Sequence, residues 1–148
     1  MKFNTLLVVL IAIVCSGCTT TPVSVSKAQL VSAGRIYDSY KKYSVPIESG
    51  AKIIIVRDSG ILGSAGSAAL FVNGEIVARV KTGESIILNV KNGDNVLGVG
   101  PGTKMNWEKD NVELIEQTLN AEAGKEYFFR ITIDRYKGLV LQRTTQVN

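Results

Sequence analysis

Two asparagine-glycine pairs, Asn73-Gly74 and Asn92-Gly93, constrain this chain more than any other feature. An Asn-Gly pair accepts positive φ at both turn centres, the geometry that matches a two-residue hairpin to the right-handed twist of its strands. Each pair lies between runs that suit strands. Ser67-AALFV-Asn73 and Glu75-IVARV-Lys81 flank the first. Glu84-SIILNV-Lys91 and Asp94-NVLGVG flank the second, with Ile86, Leu88 and Val90 alternating onto one face. A hairpin followed by a second tight turn points the middle of the chain to antiparallel sheet.

The rest of the C-terminal two-thirds follows suit. Lys52-IIIV-Arg57 is a β-branched run, and Val112 to Ala121 reads as a strand with irregular alternation. Glu122-Ala-Gly-Lys125 turns the chain into Tyr127, Phe129, Ile131 and Ile133, which alternate with Phe128, Arg130, Thr132 and Asp134 as a half-buried strand does. Gly138-LVLQRTT closes the series. Fourteen glycines against three prolines suit a fold of many tight turns, and a chain that is 45% hydrophobic has enough apolar surface to build a core. Seven or eight short strands without alternating helices predict an all-β fold, an antiparallel β-sandwich over residues 51–148, rather than a parallel α/β sheet.

The N-terminus has a different character. Leu6 to Val14, LLVVLIAIV, is nine apolar residues behind a single Lys2. As a helix it covers roughly 15 Å, half of a bilayer's hydrocarbon, so it suits an export signal better than a permanent span. Ser16-Gly17-Cys18 then sets two small residues directly before a cysteine, and this resembles the bacterial lipoprotein processing box. The resemblance implies cleavage between Gly17 and Cys18, diacylglycerol on the Cys18 sulfur, and acylation of the new amino terminus. Residues 1–17 are then a discarded signal peptide. The family favours Leu three residues before the lipidated cysteine, and Cys15 stands there. Cys15 is not itself the modified residue, because Val14 is bulky at what would be the cleavage position. The competing reading is a plain secretory signal with an incidental cysteine. Thr19 rather than Asp follows Cys18, which by the same resemblance implies the outer membrane facing the periplasm.

Residues 18–50 read as a lipidated start, a polar extended tether over Thr19 to Ser26, and a short helix from Lys27 to Lys42 capped by Ser26. Leu30, Ala33, Ile36 and Tyr40 recur at helical spacing, with Gly34 against them. Tyr37, Tyr40 and Tyr43 make a row that serves either packing or binding.

From the first strand onward a second resemblance emerges. The stretch IIIVRDSGILGSAGSAALFVNGEIVARVKTGESIILNVKNGDN, with the later LNAEAGKEYFFRITI, is similar to a family of small bacterial envelope lipoproteins known only as a domain of unknown function, and to PEGA-type surface modules. The match covers roughly residues 51 to 145 and implies an Ig-like or PEGA-like sandwich at the envelope. The family often carries Pro-Gly-x-His at the second turn. Lys91-Asn92-Gly93-Asp94 stands here, so no role resting on that histidine carries over.

Signs of chemistry are few. The chain has no histidine, which removes Ser-His-Asp and Cys-His nucleophile systems and the commonest proton shuttle near neutral pH. No EF-hand loop or His/Cys metal spacing occurs, so no metal and no cofactor is expected. The net charge of +4 is scattered, without the basic run and stacked aromatics that nucleic-acid binding wants. Gly60-Ile-Leu-Gly63-Ser-Ala-Gly66 lacks the Gly-Lys-Ser/Thr of a phosphate loop and reads as a connection or the lip of a groove. Gly98-Val-Gly100-Pro101-Gly102-Thr-Lys-Met-Asn-Trp107 reads as a long loop that carries the sole tryptophan, either a binding anchor or a packed side chain. Glu108 and Asp110 are the nearest thing to a paired carboxylate.

The expectation is a non-catalytic, lipid-anchored envelope protein with a membrane and an envelope protein or peptidoglycan as partners. The alternatives are an accessory or exclusion lipoprotein of a mobile element and a small carboxylate-dependent envelope hydrolase.

Overall fold

The computed structural model describes residues 20–60, 66–102 and 113–145. They form two sheets packed face to face. The first has the order β1-β5-β2-β8-β9, from β1 (Gln29–Leu30), β2 (Ala51–Arg57), β5 (Glu84–Val90), β8 (Glu126–Asp134) and β9 (Gly138–Thr144). The second has the order β4-β3-β6-β7, from β3 (Ala68–Val72), β4 (Glu75–Val80), β6 (Gly93–Pro101) and β7 (Ile115–Ala121). The protein is an all-β sandwich.

Alternation along the strands fills the space between the sheets. Ile53, Ile55, Leu88, Val90, Phe129 and Ile131 point in from the first sheet, and Leu70, Val72, Leu97 and Val99 meet them from the second. Burying each such side chain contributes about 1.5–3 kcal/mol. The Asn73-Gly74 turn takes positive φ at both residues, 50° and 81°, as its chemistry predicts. The Asn73 side-chain oxygen also accepts the Val96 N–H at 2.8 Å, tying this hairpin to β6. The second pair closes no hairpin: β5 and β6 lie in different sheets, so the turn carries the chain from one to the other, and only Gly93 there has positive φ, 101°. There the Asn95 amide donates to the carbonyls of Lys91 and Gly93, both at 3.0 Å, and closes the turn from within β6.

Two findings correct the expected outline. The first sheet is mixed: β2 runs parallel to β8, from Lys52 opposite Glu126 to Arg57 opposite Ile131, and β1 runs parallel to β5. Parallel neighbours need a crossover, and the chain from β3 to β7, the whole second sheet with β5, makes it between β2 and β8.

The expected helix over 27–42 is replaced by β1 and two 3-10 turns, Ala33–Arg35 and Asp38–Tyr43. Gly34 weakens a helix, but the larger reason is where the backbone bonds go. The Tyr37 N–H donates to Val77 O at 3.0 Å, Ile36 bridges Ala78, and Arg35 Nε donates to Arg79 O at 3.3 Å, so this segment lines the free edge of β4. On the other side Val31 N–H donates to Ser85 O and the Tyr40 hydroxyl donates to Ile87 O, both at 3.0 Å, lining the free edge of β5. Residues 29–43 thus strap the gap between the two sheets. The tyrosine row is divided by this role. Tyr43 is buried, Tyr40 reaches β5, and Tyr37 carries the Arg79 guanidinium 5.5 Å above its ring.

Candidate functional site

One end of the sandwich gathers the features that need explaining. β2 and β8 finish there, β3 and β7 start there, and the Lys81–Gly83 turn lies beside them. The N-terminal segment docks on the same end. Thr21 exchanges backbone hydrogen bonds with Ser59, at 2.6 and 3.0 Å, as a short antiparallel bridge. The hydroxyls of Thr20 and Thr132 share a bond of 2.9 Å. The residues read as a free tether are therefore fixed to the sandwich from Thr20 on.

A buried ion pair holds this docking in place. Arg130 donates to the Asp58 carboxylate through Nε at 2.9 Å and Nη2 at 2.5 Å, and its Nη2 also reaches Val23 O at 3.2 Å. The Val23 N–H faces the same carboxylate oxygen at 3.4 Å. The two side chains are 11% and 6% exposed, so both charges are removed from water and each needs the other. On the inner side Arg57 donates to Gly66 O at 3.0 Å and Val80 O at 2.7 Å, pinning β4 and the 58–67 connection. Burial pulls its guanidinium below the usual value, and Glu84 opposes that.

The β8–β9 turn, Arg135-Tyr136-Lys137, projects from this end. The Asp134 carboxylate accepts the N–H groups of Tyr136 and Lys137 at 2.8 and 2.9 Å, and those bonds hold its pKa below the usual carboxylate value. Gly138 completes the turn at φ 73°. Tyr136 is 93% exposed.

The residues singled out in the sequence fall in different places. Gly17, Cys18, Trp107, Glu108 and Asp110 lie outside the described residues. Gly100 and Pro101 are the last residues of β6, paired with Ala69 and Ala68. Gly102 follows, and its N–H donates to Ser67 O at 2.8 Å. A Cβ at Gly102 would overlap the Ser67 backbone, so this glycine permits a close approach of two chains. Gly98 sits opposite Phe71 in the register, where a Cβ would also press on the Glu116 side chain at 3.2 Å. Gly98 and Gly102 thus have packing reasons of their own.

Asp58 and Arg130 were not legible as a pair, since Arg130 lies on the polar half of an alternating strand and reads as solvent-facing. The one available signal is Thr20-Thr-Pro-Val-Ser-Val, a β-branched stretch suited to extended pairing.

A cleft of about 600 Å³ lies on the β5 side, towards the opposite end. Its walls include Leu30, Ile36, Tyr40, Pro46, Ile47 and Ile87, with Lys52 and Glu126 at the rim, joined by a 2.8 Å salt bridge. Among the described residues no group of three or more acidic or cysteine side chains is placed to hold a metal ion. No family model and no curated protein matches the chain.

Proposed function

We propose that this chain is a lipid-anchored bacterial envelope protein whose sandwich serves as a non-catalytic binding module. The observation that supports the anchor most is the docking of the segment just after Cys18. Thr20 and Thr21, two and three residues after Cys18, are bonded to Thr132 and Ser59 of the sandwich, so a cut before Cys18 keeps every described residue and sets the modified cysteine close to the folded body. A lipid-modified cysteine followed at once by a folded body is a coherent product of such a cut. Three acyl chains supply the hold that one cannot.

Binding is supported by the β5 cleft. Its volume and the aliphatic residues in its wall, Leu30, Ile36, Ile47 and Ile87 among them, suit apolar side chains of a protein partner, with Tyr40, Asn89, Lys52 and Glu126 as polar groups around them. Edge-strand pairing at β4 and β5 is less favoured, because residues 29–43 occupy those edges, which leaves β7 and β9 as the outer strands for it. Catalysis by a carboxylic acid wants a raised pKa in a cleft, whereas the shifts seen at Asp38 and Asp134 are both downward.

Intact mass of the full-length protein recovered from bacterial envelopes tests the anchor. The expected species begins at Cys18 and carries diacylglycerol and an N-linked acyl chain. An unmodified Cys18 thiol, or a retained leader, overturns the reading.

A further inference from the structure

We propose that the end of the sandwich bearing the Arg135–Lys137 turn lies against the membrane and contacts anionic phospholipid, with Tyr136 at the headgroup level. This rests on lipid attachment at Cys18.

The direction of the docked N-terminal segment carries the argument. Val23 O accepts from Arg130, whereas Thr20 reaches Thr132. Going backwards from Val23 to Thr20, the contacts therefore advance along β8 towards Asp134 and the turn beyond it. The antiparallel bridge of Thr21 with Ser59 has the same sense, since β2 also finishes at this end. Cys18 is two residues further on. Two residues of chain span at most about 7 Å, so acyl chains on Cys18 enter the bilayer beside this end and leave the domain little freedom to turn away.

The chemistry of the end fits that placement. Lys81, Arg135 and Lys137 are exposed there, and Lys27 is two residues before Gln29, whose N–H donates to Gly83 O in the Lys81–Gly83 turn. None of these four cations has a salt bridge to any described residue. At the opposite end three lysines are paired, Lys42 with Glu75, Lys52 with Glu126 and Lys125 with Glu122, while Lys91 and Arg143 have no salt bridge to a described residue. The carboxylates of Asp58, Asp134 and Glu84 are turned to Arg130, to the turn's own N–H groups and to Arg35, and among the described residues Glu113 is the exposed acid nearby. A tyrosine flanked by two cations, held out on a turn that its neighbour's carboxylate stiffens, matches what sits well at a headgroup boundary: an amphipathic ring with basic residues beside it.

The test uses the full-length lipidated protein in vesicles of phosphatidylcholine with and without phosphatidylglycerol. Cys18 is acylated in that protein, so a nitroxide can be placed alone at Tyr136→Cys or, at the opposite end, Val45→Cys. The label at 136 is expected to be shielded from a water-soluble nickel chelate on phosphatidylglycerol vesicles, while the label at 45 stays accessible. Adding Arg135→Glu and Lys137→Glu, or raising the salt, should remove more than about half of the shielding. Equal accessibility at 136 and 45, in protein whose mass shows acylated Cys18, overturns the proposal and leaves the anchor standing. Equal shielding without phosphatidylglycerol, or shielding untouched by charge reversal, overturns the anionic contact. An unmodified Cys18 overturns both.

Discussion

The Asp58 carboxylate receives two hydrogen bonds from Arg130, and the oxygen that receives them is the one that faces the Val23 amide. One ion pair thus joins the end of β2 to the middle of β8 and fastens the N-terminal segment across them. Removing one partner leaves the other charged and buried, so Asp58→Ala should lower the unfolding free energy by about 3 kcal/mol in a urea titration. It should also loosen residues 20–28, which trypsin would report as faster cleavage after Lys27. A stability loss with unchanged cleavage at Lys27 would mean that the pair supports the strands but not the segment.

Two glycines separate crowding from backbone conformation. At Gly102 an added methyl meets the Ser67 backbone, which cannot step aside as a flexible side chain would, and the Ser67 hydroxyl as well. Gly102→Ala should cost about 1–3 kcal/mol by denaturant unfolding. At Gly74 the same methyl meets open space but φ is 81°, so Gly74→Ala should cost about 1–2 kcal/mol through the left-handed conformation alone. Only the Gly102 variant should be partly rescued by shortening its neighbour, in Ser67→Gly.

Asp134 makes the β8–β9 turn sensitive to acid. Its folded pKa is lowered below the ordinary 3.8, chiefly by the N–H groups of Lys137 and Tyr136. A depressed carboxylate contributes stability that is present above its unfolded pKa and lost as pH falls through the folded one. The amide signals of Tyr136 and Lys137 should therefore hold their positions down to about pH 4 and move at lower pH. In Asp134→Ala they should sit at turn-open positions at every pH.

The β5 cleft yields a prediction about capture. Leu30 is 68% exposed on its wall, so Leu30→Asp should change folding stability by no more than about 0.5 kcal/mol. The same change sets a charge against an apolar occupant. Crosslinking in intact envelopes should then lose the proteins held by the unaltered chain. Undiminished capture would move the binding surface away from this cleft.

Tyr40 tests the strap. Its hydroxyl donates to Ile87 O at 3.0 Å, and burial raises its pKa above the ordinary 10.0. Tyr40→Phe should cost about 1 kcal/mol, the usual net worth of such a bond, and expose the Ile87 region of β5 to faster hydrogen exchange.

What could be read in the sequence was local chemistry. Asn73 and Gly74 specify their turn through φ alone, and the alternation of Tyr127, Phe129 and Ile131 specifies a face through sterics that span two residues. The parallel match of Ile54 with Phe128 leaves no such mark, because nothing in either strand encodes a neighbour 74 residues away. Gly100 and Pro101 looked like loop residues, yet β6 continues through them because it packs against β3, whose register is set elsewhere. Residues 29–43 have helical spacing, but the open edges of β4 and β5 claim their hydrogen bonds. Arg130 looked solvated since its strand exposes that face, and the chain that covers it comes from more than a hundred residues earlier.

The strap over β4 and β5 has a consequence for the protein in concentrated solution. A row of unmet amides and carbonyls along an outer strand is a template on which a second molecule can add its own strand, and then a third. Here Arg35, Tyr37 and Tyr40 have already claimed those groups. Growth of fibres from this flank would first have to peel the molecule's own residues away, so crowding alone gives it no seed.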